Sequence, residues 1–226
     1  MTAEADWAAA AAGFLGCGYR VVVPEPAALP YARGQARAVL ERCGVGWDEA
    51  PWRTLPRGPV EVAGGATYDV GRRESGPVLT RVTPLTAPAP APAARAVDLP
   101  WWWSSDGPLA GLPTISGLEA AVAERHLAPG TVGLWWNHRD ELCTSTAGPL
   151  LLRLVDGWVH PDEAAGAVAS WAWAQEAGAR SARPARVDRR MLASALEVLA
   201  VPPLGGAQAL RSRGTSSRGM PPSPSR

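Results

Sequence analysis

The sequence predicts an α+β protein in two parts. Short β-branched segments such as Arg20–Val23 (RVVV) are interspersed with stretches of helical period such as Ala32–Cys43 (ARGQARAVLERC). The run Thr86–Ala94 (TAPAPAPAA) has a composition that neither sheet nor helix tolerates and reads as an extended polyproline-type spacer. With 226 residues and a hydrophobic fraction of 46%, there is enough apolar material for a real core on each side of that spacer. The expected division is a small N-terminal α/β unit over 1–85, a hinge over 86–97, a larger α+β unit over 98–210 and a disordered tail over 211–226.

Taken in order, Arg20–Val23 is a strand ended by Pro24-Glu25-Pro26. Ala32–Cys43 is a helix with Ala36, Val39, Leu40 and Cys43 on one face and Gly44 as its stop. Pro59–Ala63 and Val78–Leu85 alternate as strands, joined by a Gly- and Arg-rich turn over Gly71–Gly76. Beyond the spacer, Gly117–Leu127 reads as a helix and Thr131–Trp136 as a strand. Leu150–Val155 is a buried strand turned by Asp156-Gly157. Glu163–Ala177, stopped by Gly178, and Asp188–Val198 read as two further helices. The tail after Leu210 has little to bury.

Composition narrows the function. A formal net charge of +1 gives no electrostatic ground for nucleic acid or an acidic membrane as partner. Three widely spaced cysteines (Cys17, Cys43, Cys143) suit reduced thiols in a cytoplasm. The apolar stretch Ala8–Cys17 follows Glu4 and Asp6 where a signal peptide needs positive charge, and it is too short to span a bilayer. His126, His138 and His160 have no metal-ligand spacing. Asn137–Asp140 reads as a polar turn between strands, and Gly71-Arg72-Arg73 lacks the pattern of a phosphate loop. Eleven tryptophans, grouped at Trp101–Trp103, Trp135-Trp136 and Trp171/Trp173, point to a core or a protein interface ahead of an aromatic platform for a ligand. Trp101–Trp103 would alternate across a strand, leaving at least one ring for solvent or a partner. All 22 basic residues are arginine; the chain has no lysine.

Three collinear stretches carry a resemblance. They are Leu109–Glu119 (LAGLPTISGLE), Asp140–Pro161 (DELCTSTAGPLLLRLVDGWVHP) and the segment from Gly166 to Leu204, which ends in LEVLAVPPL. Together they resemble the class IV aminotransferases, the fold-type-IV pyridoxal-phosphate enzymes that include 4-amino-4-deoxychorismate lyase and the branched-chain aminotransferases. The likeness covers about residues 97–210 and implies a small N-terminal domain, a larger domain with a barrel-like sheet, and a homodimer.

The resemblance also assigns chemical positions. The family's Schiff-base lysine falls on Pro113, which has no amine to form an imine or move a proton. The glutamate that keeps the pyridine nitrogen protonated falls on Ser145, with Glu141 as the candidate in a shifted register. At the phosphate site Gly166 is kept, while Val168, Ala169, Val201, Pro202 and Pro203 stand where the family has hydroxyls, an arginine and an asparagine. The signature asparagine falls on Leu150, and Arg33 or Arg37 is the candidate for the small domain's phosphate arginine. The resemblance thus implies the scaffold without its lysine and cofactor ligands: no cofactor, no metal, and a non-catalytic binding or subunit protein. That protein would be cytoplasmic and would meet a second copy or another protein through a tryptophan-rich surface. The alternative is a divergent lyase or aminotransferase using pyridoxal phosphate non-covalently, or other chemistry at Cys143 or Ser145.

Overall fold

The computed structural model describes residues 18–66, 68–69, 74–89, 91–107, 109–113 and 118–211. The apolar stretch Ala8–Cys17, the first half of the Gly71–Gly76 turn (71–73) and the tail beyond Arg211 lie outside them.

The N-terminal part is a three-stranded antiparallel sheet in the order β1-β2-β5: β1 (Gly18–Val23), β2 (Val60–Gly65) and β5 (Leu79–Pro84). A small hairpin, β3 (Tyr68–Asp69) with β4 (Glu74–Ser75), interrupts the β2–β5 connection. Helix α1 (Leu29–Arg42) covers one face of the sheet, starting three residues before the expected Ala32 because Pro30 suits a first helical turn. Period decides which face is buried. Tyr19, Val21 and Val23 of β1 meet Ala32, Ala36, Val39 and Leu40 of α1 in one core, while Arg20 and Glu61 stand on the outer face. The short helix α2 (Ala50–Arg53) adds Trp52 to that core.

The second part is an eight-stranded sheet in the order β11-β10-β9-β12-β13-β6-β7-β8. Its strands are β6 (Ala94–Asp98), β7 (Thr131–Trp136), β8 (Leu142–Ser145), β9 (Leu150–Leu154), β10 (Gly157–Pro161), β11 (Arg183–Ala185), β12 (Glu197–Ala200) and β13 (Gln208–Arg211). Three pairings are parallel, β6 with β7, β6 with β13 and β10 with β11. The sheet curls until its ends approach: the Leu142 N–H donates to Val187 O just past β11 at 2.8 Å. Inside the curl lie Leu134, Trp136, Leu150, Leu152, Val198 and Leu210. Each fully buried leucine there contributes about 1.5–3 kcal/mol. Alternate residues of the same strands, Leu151 and Leu199, face the other way under helix α4 (Trp171–Ala179), and Trp135 packs with Leu99. Helix α3 (Leu118–His126) adds Ala123 beside Trp135, and helix α5 (Arg189–Ser194) lies over the curl.

Several expectations need correction. Ala94–Val97, read as the end of the hinge, belong to β6, where Ala94 and Ala96 are buried in the sheet core. Arg211, read as the start of the tail, is the last residue of β13. The helix expected over Glu163–Ala177 is broken. A single 3-10 turn, Glu163–Ala165, ends at Gly166, whose φ of 92° lies in the left-handed region. The chain turns helical again only at Trp171, after Ser170 accepts the cap bond from the Trp173 N–H, and it runs past Gly178. Asp188 caps the last helix as a side-chain acceptor, but the helix stops at Ser194, and Glu197–Ala200 pairs with β9 and β13. Sheet pairing overrides helical period in that leucine-rich run. Trp101–Trp103 form no strand; Trp102 is exposed, as one ring of the three was expected to be.

Gly148, in the β8–β9 turn, has φ 133°, and a Cβ there would stand 2.5 Å from the Val201 carbonyl oxygen. Backbone cannot yield as a side-chain tip would. Gly148→Ala is expected to cost at least about 2 kcal/mol, read as a lower urea midpoint at unchanged slope.

Candidate functional site

A cleft of about 350 Å³ opens between the two sheets. Its lining gathers Arg20, Gln35 and Glu61 from the N-terminal part and Trp103, Pro113 and Trp135 from the second. The β8–β9 corner (Thr144–Pro149), the loop Val168–Trp171 and Pro203 complete it. Pleating explains the N-terminal contribution: with Tyr19 and Val23 committed to the core, Arg20 and Val22 face the cleft. Two contacts join the parts across it. The Arg20 N–H donates to Pro113 O at 2.9 Å, and the Gln35 amide donates to Ala169 O at 2.9 Å. Trp171 adds its indole N–H to Glu25 at 3.3 Å and packs its ring against Tyr31.

Of the positions singled out in the sequence, Pro113, Ser145, Val168, Ala169 and Pro203 all line this cleft. The Ser145 hydroxyl donates to Gly148 O at 2.7 Å, so it is engaged locally. Gly166 lies behind the wall: its N–H donates to Glu163 O at 2.8 Å, and its carbonyl accepts from the Trp103 indole at 2.9 Å. The Val201 N–H donates to Pro149 O at 2.8 Å, and Pro202 has no N–H to offer. Leu150 is buried in the sheet core. Arg33 pairs with Glu49 and Arg37 with Glu41 on α1, and neither is among the lining residues.

Glu141 belongs to a different structure. Asn137, fully buried in the β7–β8 turn, donates to the Glu141 carboxylate at 2.8 Å and to Ala165 O at 3.4 Å. Its side-chain oxygen accepts from the backbone N–H groups of Arg139 (2.9 Å) and Glu141 (3.0 Å). Arg139 reaches the Glu141 carboxylate at 2.9 Å, Asp106 at 2.8 Å and Ala164 O at 2.7 Å. The Asn137 bond and the guanidiniums of Arg139 and Arg186 hold the Glu141 carboxyl below the usual carboxylate range, against its burial. This network pins the 162–166 turn, and through Gly166 it pins Trp103.

Cys143 offers no nucleophile. Burial, and secondarily the Glu141 charge, push its thiol up to about 12. Arg20 carries a cleft position that sequence reasoning passed over, and Trp135, singled out there with its neighbour Trp136, lines the cleft. For Arg20 the signal was its place between core positions of a β-branched strand. Trp135 pairs ring to ring with Trp103 at 4.8 Å, and its buried indole N–H has no hydrogen-bond partner among the described residues. Among the described residues there is no metal-binding cluster, and no helix is long and apolar enough to cross a membrane.

No protein-family model matches the sequence, and no curated protein does. Solved structures do. The 4-amino-4-deoxychorismate lyase from Pseudomonas aeruginosa superimposes with a TM-score of 0.70 at 20% identity, over 88% of this chain and 83% of that one. The branched-chain aminotransferase from Thermoproteus uzoniensis with norvaline gives 0.69 at 12% identity, over 91% and 80%. These chains share one fold. It is the fold-type-IV architecture of pyridoxal-phosphate enzymes, with the small domain and curled sheet that the resemblance implied. A third structure with it, a T.th. branched-chain aminotransferase, is a complex with N-(5'-phosphopyridoxyl)-L-glutamate (TM-score 0.63, 10% identity, 87% and 76% covered). The expectation that the chain calls for no cofactor is corrected by that fold: its solved examples are cofactor enzymes, and reading single substitutions left out the cleft that the scaffold preserves.

Asn137→Ala is expected to leave the buried Glu141 N–H and the part-buried Arg139 N–H without this acceptor and to destabilise the protein by about 2 kcal/mol, measured by urea unfolding. The sign follows from the lowered Glu141 carboxyl. Its stabilisation is full at neutral pH and fades as pH falls below the ordinary carboxylate range, about pH 4. The gap between wild type and Asn137→Ala therefore narrows in acid.

Proposed function

We propose that this chain is a ligand-binding protein on the class IV aminotransferase scaffold, whose cleft takes a flat phosphopyridine-type cofactor, or a ligand shaped like one, without a covalent bond. The single observation that carries the reading is that Pro113, Ser145 and Val168 line one cleft in a chain that has no lysine.

The residues present suit a non-covalent guest and do not suit a lysine imine. Trp103, Trp135 and Trp171 give the cleft aromatic walls that exclude water from a flat ring. Arg20, only loosely engaged with Glu61 at 3.8 Å, is the cation among the lining residues and balances charge on an anionic guest. The Trp135 indole N–H and the Thr144 hydroxyl supply donors at the wall. When bound, a pyridoxal group supplies an electron-withdrawing ring and a reactive carbonyl. Where the related enzymes have a carboxylate, Ser145 has a neutral hydroxyl that already donates to the Gly148 carbonyl, and Pro113 carries no proton to move. The chain therefore binds and presents its ligand, acting as a binding or assembly subunit. Its partner is a second copy or another protein, met through exposed Trp102.

Isothermal titration calorimetry with pyridoxal phosphate tests this. Saturable one-site binding is expected, abolished by Ala147→Trp in the cleft, with no amino transfer or lyase turnover by the same preparation. Absence of binding, or turnover, would overturn the reading.

A further inference from the structure

The eight-stranded sheet carries a second cavity on its other face. Strand β7 divides the two: Trp135 lines the cleft, while Leu134 and Trp136 line a space of about 190 Å³ inside the curl. Ala96, Val198, Leu210 and Leu192 supply most of its remaining wall, and helix α5 roofs it. An apolar cavity of about 150 Å³ is enough to take benzene, so this one has room for a ring with a short substituent.

Its mouth is built from charged groups in fixed positions. Arg189 lies over the Trp136 ring, 4.2 Å from the centroid. It donates from Nη1 to Asp98 at 2.6 Å and from Nε to Asp140 at 2.9 Å. Asp98 also accepts from the Trp136 indole at 2.8 Å. Of the lining residues Asp98 and Arg189 carry charge, and Arg189 is already paired with Asp98 and with Asp140 beyond the lining, so a carboxylate guest finds no free cation there. Asp98 has used two of its roughly four acceptor positions, one on each oxygen, and can take a further donor.

We infer that this cavity is a binding site, separate from the cleft, for a small aromatic amine: ring among Leu134, Val198 and Leu210, amine on Asp98. The inference rests on this cavity alone and stands or falls independently of the cleft's ligand.

The test titrates the full chain with benzylamine, toluene and benzoate, following thermal shift and calorimetry. Benzylamine is expected to saturate one site, about tenfold tighter than toluene, as one added hydrogen bond to a charged acceptor implies. Benzoate is expected to bind more weakly than toluene. Ala193→Phe, which plugs the mouth, removes benzylamine binding and leaves pyridoxal phosphate binding unchanged. Asp98→Asn reduces the preference for benzylamine over toluene to within about twofold while leaving the cavity open. No saturable benzylamine binding, benzoate binding as tightly as benzylamine, or Ala193→Phe binding benzylamine as wild type would overturn the inference.

Discussion

One buried amide organises the functional half of the molecule. Asn137 sits in the β7–β8 turn with no exposed surface, and its side chain bonds four polar groups, two backbone N–H groups of the turn, the Glu141 carboxylate and the Ala165 carbonyl. Satisfying them lets Asp140 adopt a φ of 59°, which an aspartate tolerates better than most residues. Arg139 then extends to the 162–166 turn, and Gly166 in that turn receives the Trp103 indole. Asp140 in the same corner holds Arg189 over the inner cavity. A low-dielectric node of this kind is costly when half satisfied and rigid when complete. Both walls described above inherit their positions from it.

The period of a strand does the rest. Along β7 successive side chains must alternate, so a strand buried on both faces serves two compartments at once. Leu134 and Trp136 are committed to the curl, which leaves Trp135 to the cleft; β1 divides Tyr19 from Arg20 in the same way. The groups that shape the cleft answer to sheet packing, so its shape does not depend on which chemical groups line it. That separation of scaffold from chemistry is why a shared fold does not carry an activity with it.

Much of this was legible in the sequence where one signal dominated. Thr131–Trp136 is a strand at its predicted limits, and α1 buries three of the four positions expected on its inner face, Ala36, Val39 and Leu40, beside a partly buried Cys43. Legibility failed where two signals competed. The alanines of 163–177 favour helix, but Gly166 in a left-handed turn ends it, a conformation that composition does not reveal. Leu196–Val201 satisfies both helical and strand periods, and only the open edge of β9 decides. Strand β6 was hidden because its alanines continue an Ala/Pro run. Three collinear motifs were enough to bring Pro113, Ser145 and Val168 to one cleft. Arg20 and Gln35 escaped, since their roles depend on how the two sheets meet. The inner cavity depends on where α5 stops and had no signature at all.

The central claim is that the cleft holds its ligand without a covalent bond. The most direct measurement is intact-mass analysis of the protein after borohydride reduction in saturating pyridoxal phosphate. The account predicts an unchanged mass from a sample that calorimetry shows to be fully liganded; a stoichiometric reduced adduct would contradict it.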